Sequence, residues 1–157
     1  MNHGGVYDLS SNGRGGACDS ARLADKNIAD FKAGPDSIQI DGESTAVTKT
    51  FGHIAAVDGV PNSDGDPSGC GYCFLVRPTP WAGKYCCGTT QCETASPAPV
   101  ILIMGVDTFE PSSPEIGEDG WKKGLEAYGP ATGCGNSDMR WWFDYQLVPS
   151  GSYPGCK

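Results

Sequence analysis

The sequence predicts a mainly β, disulfide-stabilised single domain, and three observations carry that prediction. Eight cysteines, an even number, are scattered through 157 residues. They stand among 23 glycines and 12 prolines in a chain only 19% charged, a loop-rich composition of the kind exported proteins use. The apolar residues fall mostly in short runs between turn signals, the pattern of strands. A chain of this length fits one domain, 1–157, that buries roughly two-thirds of its unfolded surface.

In chain order, Val6 to Leu9 is the first candidate strand. The Gly-rich SSNGRGGACD after it must turn tightly or approach another backbone closely. Ser37 to Ile40 alternates and ends in Asp41-Gly42, a hairpin-turn dipeptide. Thr45 to Val57 is apolar at Val47, Phe51, Ile54, Ala55 and Val57, a mixed period that leaves helix and strand both open.

PSGCGYCFLV, residues 67–76, poses a choice between a zinc knuckle, a redox motif and a disulfide-anchored strand. Zinc pairs one CxxC with a second CxxC or HxxxH at a set distance, whereas the next cysteines are Cys86, Cys87 and Cys92, and His3 and His53 are the chain's two histidines. A redox CxxC sits at a helix N-terminus, where the dipole lowers the thiol pKa. Cys73 leads instead into Phe74-Leu75-Val76, a buried-strand pattern, so the anchored strand is the expectation. Eight half-cystines (Cys18, Cys70, Cys73, Cys86, Cys87, Cys92, Cys134 and Cys156) allow about a hundred pairings, which leaves the partners open. Cys18 and Cys156 are placed to tie the chain ends inward.

The segment from Pro78 to Pro99 has little periodicity and reads as a loop stapled by its three cysteines, carrying Trp81 and Tyr85. APVILIMGVD is an almost continuous apolar run, a strand buried on both faces. GWKKGLEAYG sets Trp121, Leu125 and Tyr128 on one face of a short helix between Gly120 and Gly129. MRWWFDYQLVP is aromatic-rich and strand-like. No internal repeat, linker or low-complexity tract interrupts this order.

A net charge of −8 argues against a nucleic acid partner, because that affinity comes mainly from Lys and Arg neutralising phosphates. The same repulsion disfavours anionic polymers and favours neutral ones. The chain opens Met1-Asn2-His3 without an apolar leader, and its longest apolar run, 99–105, is far short of the roughly 20 residues of a membrane span. We read it as the mature form of an exported monomer with an added start methionine and no membrane partner.

The succession VYDLSSNGRGGACD, FGHIAAVDG, GCGYCFLV, APVILIMGVD, EDGWKKGLEAYG and WFDYQLVP resembles the six-stranded double-psi β-barrel of expansin-like, barwin-like and kiwellin-like proteins and glycoside hydrolase family 45 endoglucanases. In those proteins a Gly-rich GAC segment follows the first strand, and an Ala-rich segment precedes a CGxC strand. A VxVxVxD strand comes next, and a short helix leads to the last strand. The resemblance spans most of the chain, with CGYC its most specific piece. It implies a six-stranded barrel with long disulfide-stapled loops and one or two short helices. The segment from Asp30 to Lys49 and the cysteine-rich loop from Trp81 to Pro97 are insertions relative to a minimal barrel.

Inverting glycosidases set a protonated acid and an ionised base on either side of the scissile bond, with a water between. The family 45 resemblance puts Asp119, just before the short helix, in the place of the acid, although Gly117-Glu118 replaces the family's His-Phe flank. It puts Asp8 of VYDLS near the place of the first-strand base, with Tyr7 matching the family Tyr and no Trp between. In that role Asp119 would have a pKa raised by burial against aromatics such as Trp121, and Asp8 would stay ionised. Asp107 resembles the carboxylate that ends the VxVxVxD strand. As plain structure, Asp119 would be an N-cap, Asp8 a turn residue and Asp107 a strand-end group bonding backbone amides.

Sugars stack on flat aromatics, and Trp81, Tyr85 and Trp121 are the candidate platform, with Trp81 and Tyr85 favoured because a polar stapled loop exposes what it carries. Trp141 and Trp142 are adjacent on a strand and face opposite ways, so at most one lines a groove. DGVPNSDGDPSG offers Asp58, Asn62, Asp64 and Asp66 as oxygen ligands, but Pro67 stands where an EF-hand has Gly and no Glu closes the loop, so it reads as a turn. His3-Gly4 resembles the N-terminal chelate of copper enzymes that oxidise polysaccharides, but two residues precede it. No metal or cofactor is expected. The expected partner is a neutral polysaccharide, cellulose or a β-glucan. The alternatives are a non-hydrolytic expansin-like or barwin-like binder and a kiwellin-like defence protein.

Overall fold

The computed structural model describes residues 9, 18–54, 69–78, 99–108, 115–116 and 143–157, with 53, 54, 78, 107, 108, 115, 116 and 143 placed by their backbone. One helix, α1 (Asp25–Ala33), precedes β1 (Ser37–Ile40), β2 (Glu43–Ile54), β3 (Cys73–Pro78), β4 (Val100–Thr108), β5 (Glu115–Ile116) and β6 (Phe143–Leu147). The fold is mainly β. Five strands lie side by side in the order β1-β2-β4-β3-β6, and the two-residue β5 pairs with β2 off that path. Among the described residues this sheet is open, with β1 and β6 at its ends.

The β1–β2 hairpin turns at Asp41-Gly42, whose φ values of 51° and 84° are the two left-handed positions that a type I′ turn demands. β2 then runs parallel to β4 from Val47↔Val100 to Phe51↔Met104. β3 is antiparallel to β4 on its other side and to β6 beyond. The most apolar run thus occupies the middle of the sheet. Val100 to Val106 are all buried, the burial on both faces that the sequence predicts.

The register sorts the side chains into two faces. Val47, Lys49 and Phe51 of β2 align with Val100, Leu102 and Met104 of β4 and with Cys73 and Leu75 of β3. The apolar members of this face join Leu23, Ile28 and Phe31, Tyr153 and Cys156 in one core cluster. The opposite face carries Thr50, Ile101, Ile103, Phe74 and Val76, each at most 1% exposed, so the sheet is covered on both sides.

Helix α1 packs on this core cluster through Ile28 and Phe31. Among its nine residues α1 buries only Ile28 and Phe31, at i and i+3, and Gly34-Pro35 follows it. Phe31 is tilted against Phe51 at 5.6 Å between centroids and meets Tyr153 edge-on at 5.7 Å.

Lys49 breaks the apolar pattern of its face for a physical reason. Its buried ammonium donates to the carbonyls of Phe31 (3.5 Å), Lys32 (2.9 Å) and Gly34 (2.5 Å), closing the C-terminus of α1, and lies 3.4 Å from Asp36 Oδ1. A cation there satisfies carbonyls left without intrahelical donors and complements the negative end of the helix dipole. Lys49→Met keeps the stem and removes the donors. It should therefore lower stability by about 2–3 kcal/mol in urea unfolding, with an unchanged m-value.

The chain's last turn docks on the same helix. Tyr153 Oη donates to the carbonyl of Pro35, and Asn27 Nδ2 donates to the carbonyl of Gly155 at 2.7 Å. Burial, with the neighbouring Asp36 carboxylate, pushes the Tyr153 phenol up to about 12, so it stays a donor at any ordinary pH.

Candidate functional site

CGYC is an anchor. Cys70 bonds to Cys18 and Cys73 to Cys156, so neither sulfur is available as a thiolate for metal or for disulfide exchange between the two. β3 starts at Cys73, as the apolar residues after it predict. The pairings also bring Cys18 and Cys156 inward, as their positions suggest. Gly71, at φ 83°, makes the turn between the two cysteines, and its N–H donates to Gly105 O at 2.8 Å. Gly105 N–H returns a bond to Tyr72 O at 2.9 Å, and Lys157 N–H reaches Gly71 O at 2.9 Å. A Cβ on Gly71 would lie 2.9 Å from Leu23 Cδ1. One four-residue motif therefore fastens three distant segments: the chain before α1, the end of β4 and the C-terminus.

Just past this anchor the ladder changes register. Gly52 pairs with Gly105, but His53 pairs with Asp107, leaving Val106 as an extra residue on β4. Such a bulge bends the strand and re-aims the residues beyond it, and bulges concentrate beside functional sites. On the other side of β2, His53 pairs with Glu115 of β5 and Gly52 with Ile116. Asp107, the strand-end carboxylate that the sequence singles out, thus shares a rung with His53 and Glu115. In the sequence His53 stands out only as one of two histidines, and Glu115 has no local signal. Both are brought to Asp107 by long-range pairing.

Among the described side chains no group of three His, Cys, Asp or Glu gathers around a point. The other candidates lie outside the described residues: the acid and base Asp119 and Asp8, Tyr7, the platform Trp81, Tyr85 and Trp121, and Trp141 and Trp142. The same holds for Cys86, Cys87, Cys92 and Cys134, for the Asp58–Asp66 turn and for His3. Of the first candidate strand only Leu9 is described; it sits in a turn and packs against the core cluster. No helix among the described residues is long and apolar enough to cross a membrane. Comparison with protein-family models, with curated proteins and with solved structures finds no match.

Proposed function

We propose that this is an exported protein acting on a neutral polysaccharide, and that its activity is inverting, endo-β-1,4-glucanase-like hydrolysis of cellulose or a related β-glucan on a double-psi-type β scaffold. The observation that carries the reading is where the segments of the resemblance fall. FGHI lies in β2, CFLV in β3, VILIMGVD in β4 and FDYQL in β6, and all four belong to one sheet with Asp107 near the end of its central strand. Two disulfides among the described residues fit an oxidising compartment. On this reading Asp119 is the general acid and Asp8 the base that activates water, while Tyr7, Trp81, Tyr85 and Trp121 hold the glucan chain.

A non-hydrolytic, expansin-like or barwin-like wall binder is the second reading, favoured by Gly117-Glu118 standing before Asp119 in place of His-Phe. A kiwellin-like defence protein with a protein partner is a variant of it. The test is release of reducing ends from amorphous cellulose and mixed-linkage β-glucan. Native protein should release them, and Asp119→Asn and Asp8→Asn should each reduce the rate by about 100-fold or more. No release by the native protein, with binding to the same polymers retained, selects the second reading. Absence of binding as well selects the protein partner.

A further inference from the structure

β6 ends the five-strand order, and three successive residues of it, Asp144, Tyr145 and Gln146, are exposed. Neighbouring strand residues point to opposite faces, so exposure in succession leaves both faces of β6 in solvent there. The other end strand, β1, is shorter and buries Ile38. Tyr145, at 42%, is the one large hydrophobic side chain exposed among the described residues.

The bonds to β3 show which backbone groups of β6 face outward. Val148 N–H donates to Cys73 O at 2.9 Å, and bonded rungs recur at every second residue of an antiparallel ladder. Leu75↔Gln146 and Arg77↔Asp144 are therefore bonded rungs, whereas Phe74↔Leu147, Val76↔Tyr145 and Pro78↔Phe143 are not. Proline, which has no N–H, suits the last of these. Phe143, Tyr145 and Leu147 thus turn their N–H and C=O groups to the outer edge, where no described strand takes them.

Outer edges are usually blunted by lysine, proline or a bulge, and β6 has none of them. Its single charge, Asp144, shares a rung and a face with the exposed Arg77, which offsets it.

FDYQL is also self-complementary about Tyr145. When two copies pair antiparallel around that residue, the whole strand overlaps and the outward groups of Phe143, Tyr145 and Leu147 meet on bonded rungs. Tyr145 then stands opposite Tyr145, an aromatic pair, and each Asp144 opposite Gln146 of the other copy, a carboxylate facing an amide donor. Centring on Asp144 would set two carboxylates opposite each other, and centring on Gln146 would shorten the overlap.

We propose that β6 is a self-association edge, through which two copies of this chain pair antiparallel about Tyr145 and continue one sheet across a homodimer. This replaces the monomer that the sequence leads one to expect, and it is independent of whether the protein cleaves glycans.

The experiment is sedimentation velocity on the full chain over a range of concentrations at low and high salt. Native protein should shift from monomer to dimer as concentration rises, and more readily at high salt, which screens the net charge of −8 on each copy. Hydrogen exchange at the Tyr145 and Leu147 amides should slow on dimerisation, while Asp144 and Gln146, already bonded to β3, should not change. Tyr145→Pro removes an outward N–H and should leave only monomer. Gln146→Asp puts a carboxylate opposite each Asp144 and should weaken the dimer at least about fivefold. Adding Asp144→Asn to that variant should restore it.

A native protein that stays monomeric at every concentration overturns the proposal. So does a dimer that leaves Tyr145 and Leu147 exchange unchanged, or one that survives at native strength in folded Tyr145→Pro. If circular dichroism shows Tyr145→Pro unfolded, the exposed Gln146→Asp decides, and native dimer strength in it overturns the proposal.

Discussion

Replacing Cys73 and Cys156 together by serine should lower the unfolding free energy by about 4–5 kcal/mol and the melting temperature by roughly 10–20 °C. The bond closes a separation of 83 residues, against 52 for Cys18–Cys70. Chain entropy released to the unfolded state grows with the logarithm of loop length, so the shorter loop is worth about 4 kcal/mol. The two loops, 18–70 and 73–156, are adjacent in sequence and do not overlap, and the two losses should add. Cys86, Cys87, Cys92 and Cys134 all lie inside the larger loop; bridges among them would shorten it and reduce the figure only logarithmically. Denaturant unfolding of the double-serine variants measures both. A loss below about 1 kcal/mol for Cys73/Cys156 would mean that the bond constrains little in the unfolded chain.

Gly155→Ala is the second large effect, at least about 3 kcal/mol of stability. Gly155 has φ 81°, and a Cβ there would stand 2.2 Å from Asn27 O and 2.7 Å from Phe31 N. Both obstacles are helix backbone, so no side-chain rotation relieves them, and the last turn must lift off α1. Lifting it also breaks the bond from Asn27 Nδ2 to Gly155 O. Gly151→Ala is the internal control: φ is 77° there, but nothing lies within 4 Å of the added carbon. That substitution meets only the left-handed backbone penalty, about 1–2 kcal/mol. Equal losses at the two positions would show that the docking of the C-terminal turn on α1 contributes nothing.

The contrast between what was and was not legible in the sequence is physical. β4 was legible because burial on both faces demands an unbroken apolar run, and the hairpin because Asp-Gly supplies both left-handed positions. β2 was ambiguous for one reason above all: a lysine sits on its core-facing side. Lys49 is there to close a helix, and no local pattern can announce a partner 15 to 18 residues away. α1 leaves no helical period in the sequence because it meets the core with only two buried side chains, Ile28 and Phe31.

Legibility at the candidate site has the same limits. Asp107 could be picked out at the end of an apolar strand, whereas its neighbours on the rung depend on a parallel register and a bulge. Neither is encoded near His53 or Glu115.

The fold depends on CGYC joining two separate segments rather than bonding to itself or holding a metal. Non-reducing proteolysis with mass spectrometry of the linked peptides tests this directly. Peptides containing Cys18 with Cys70 and Cys73 with Cys156 are the expected products. A Cys70–Cys73 bond, or both cysteines recovered as free thiols, would contradict it.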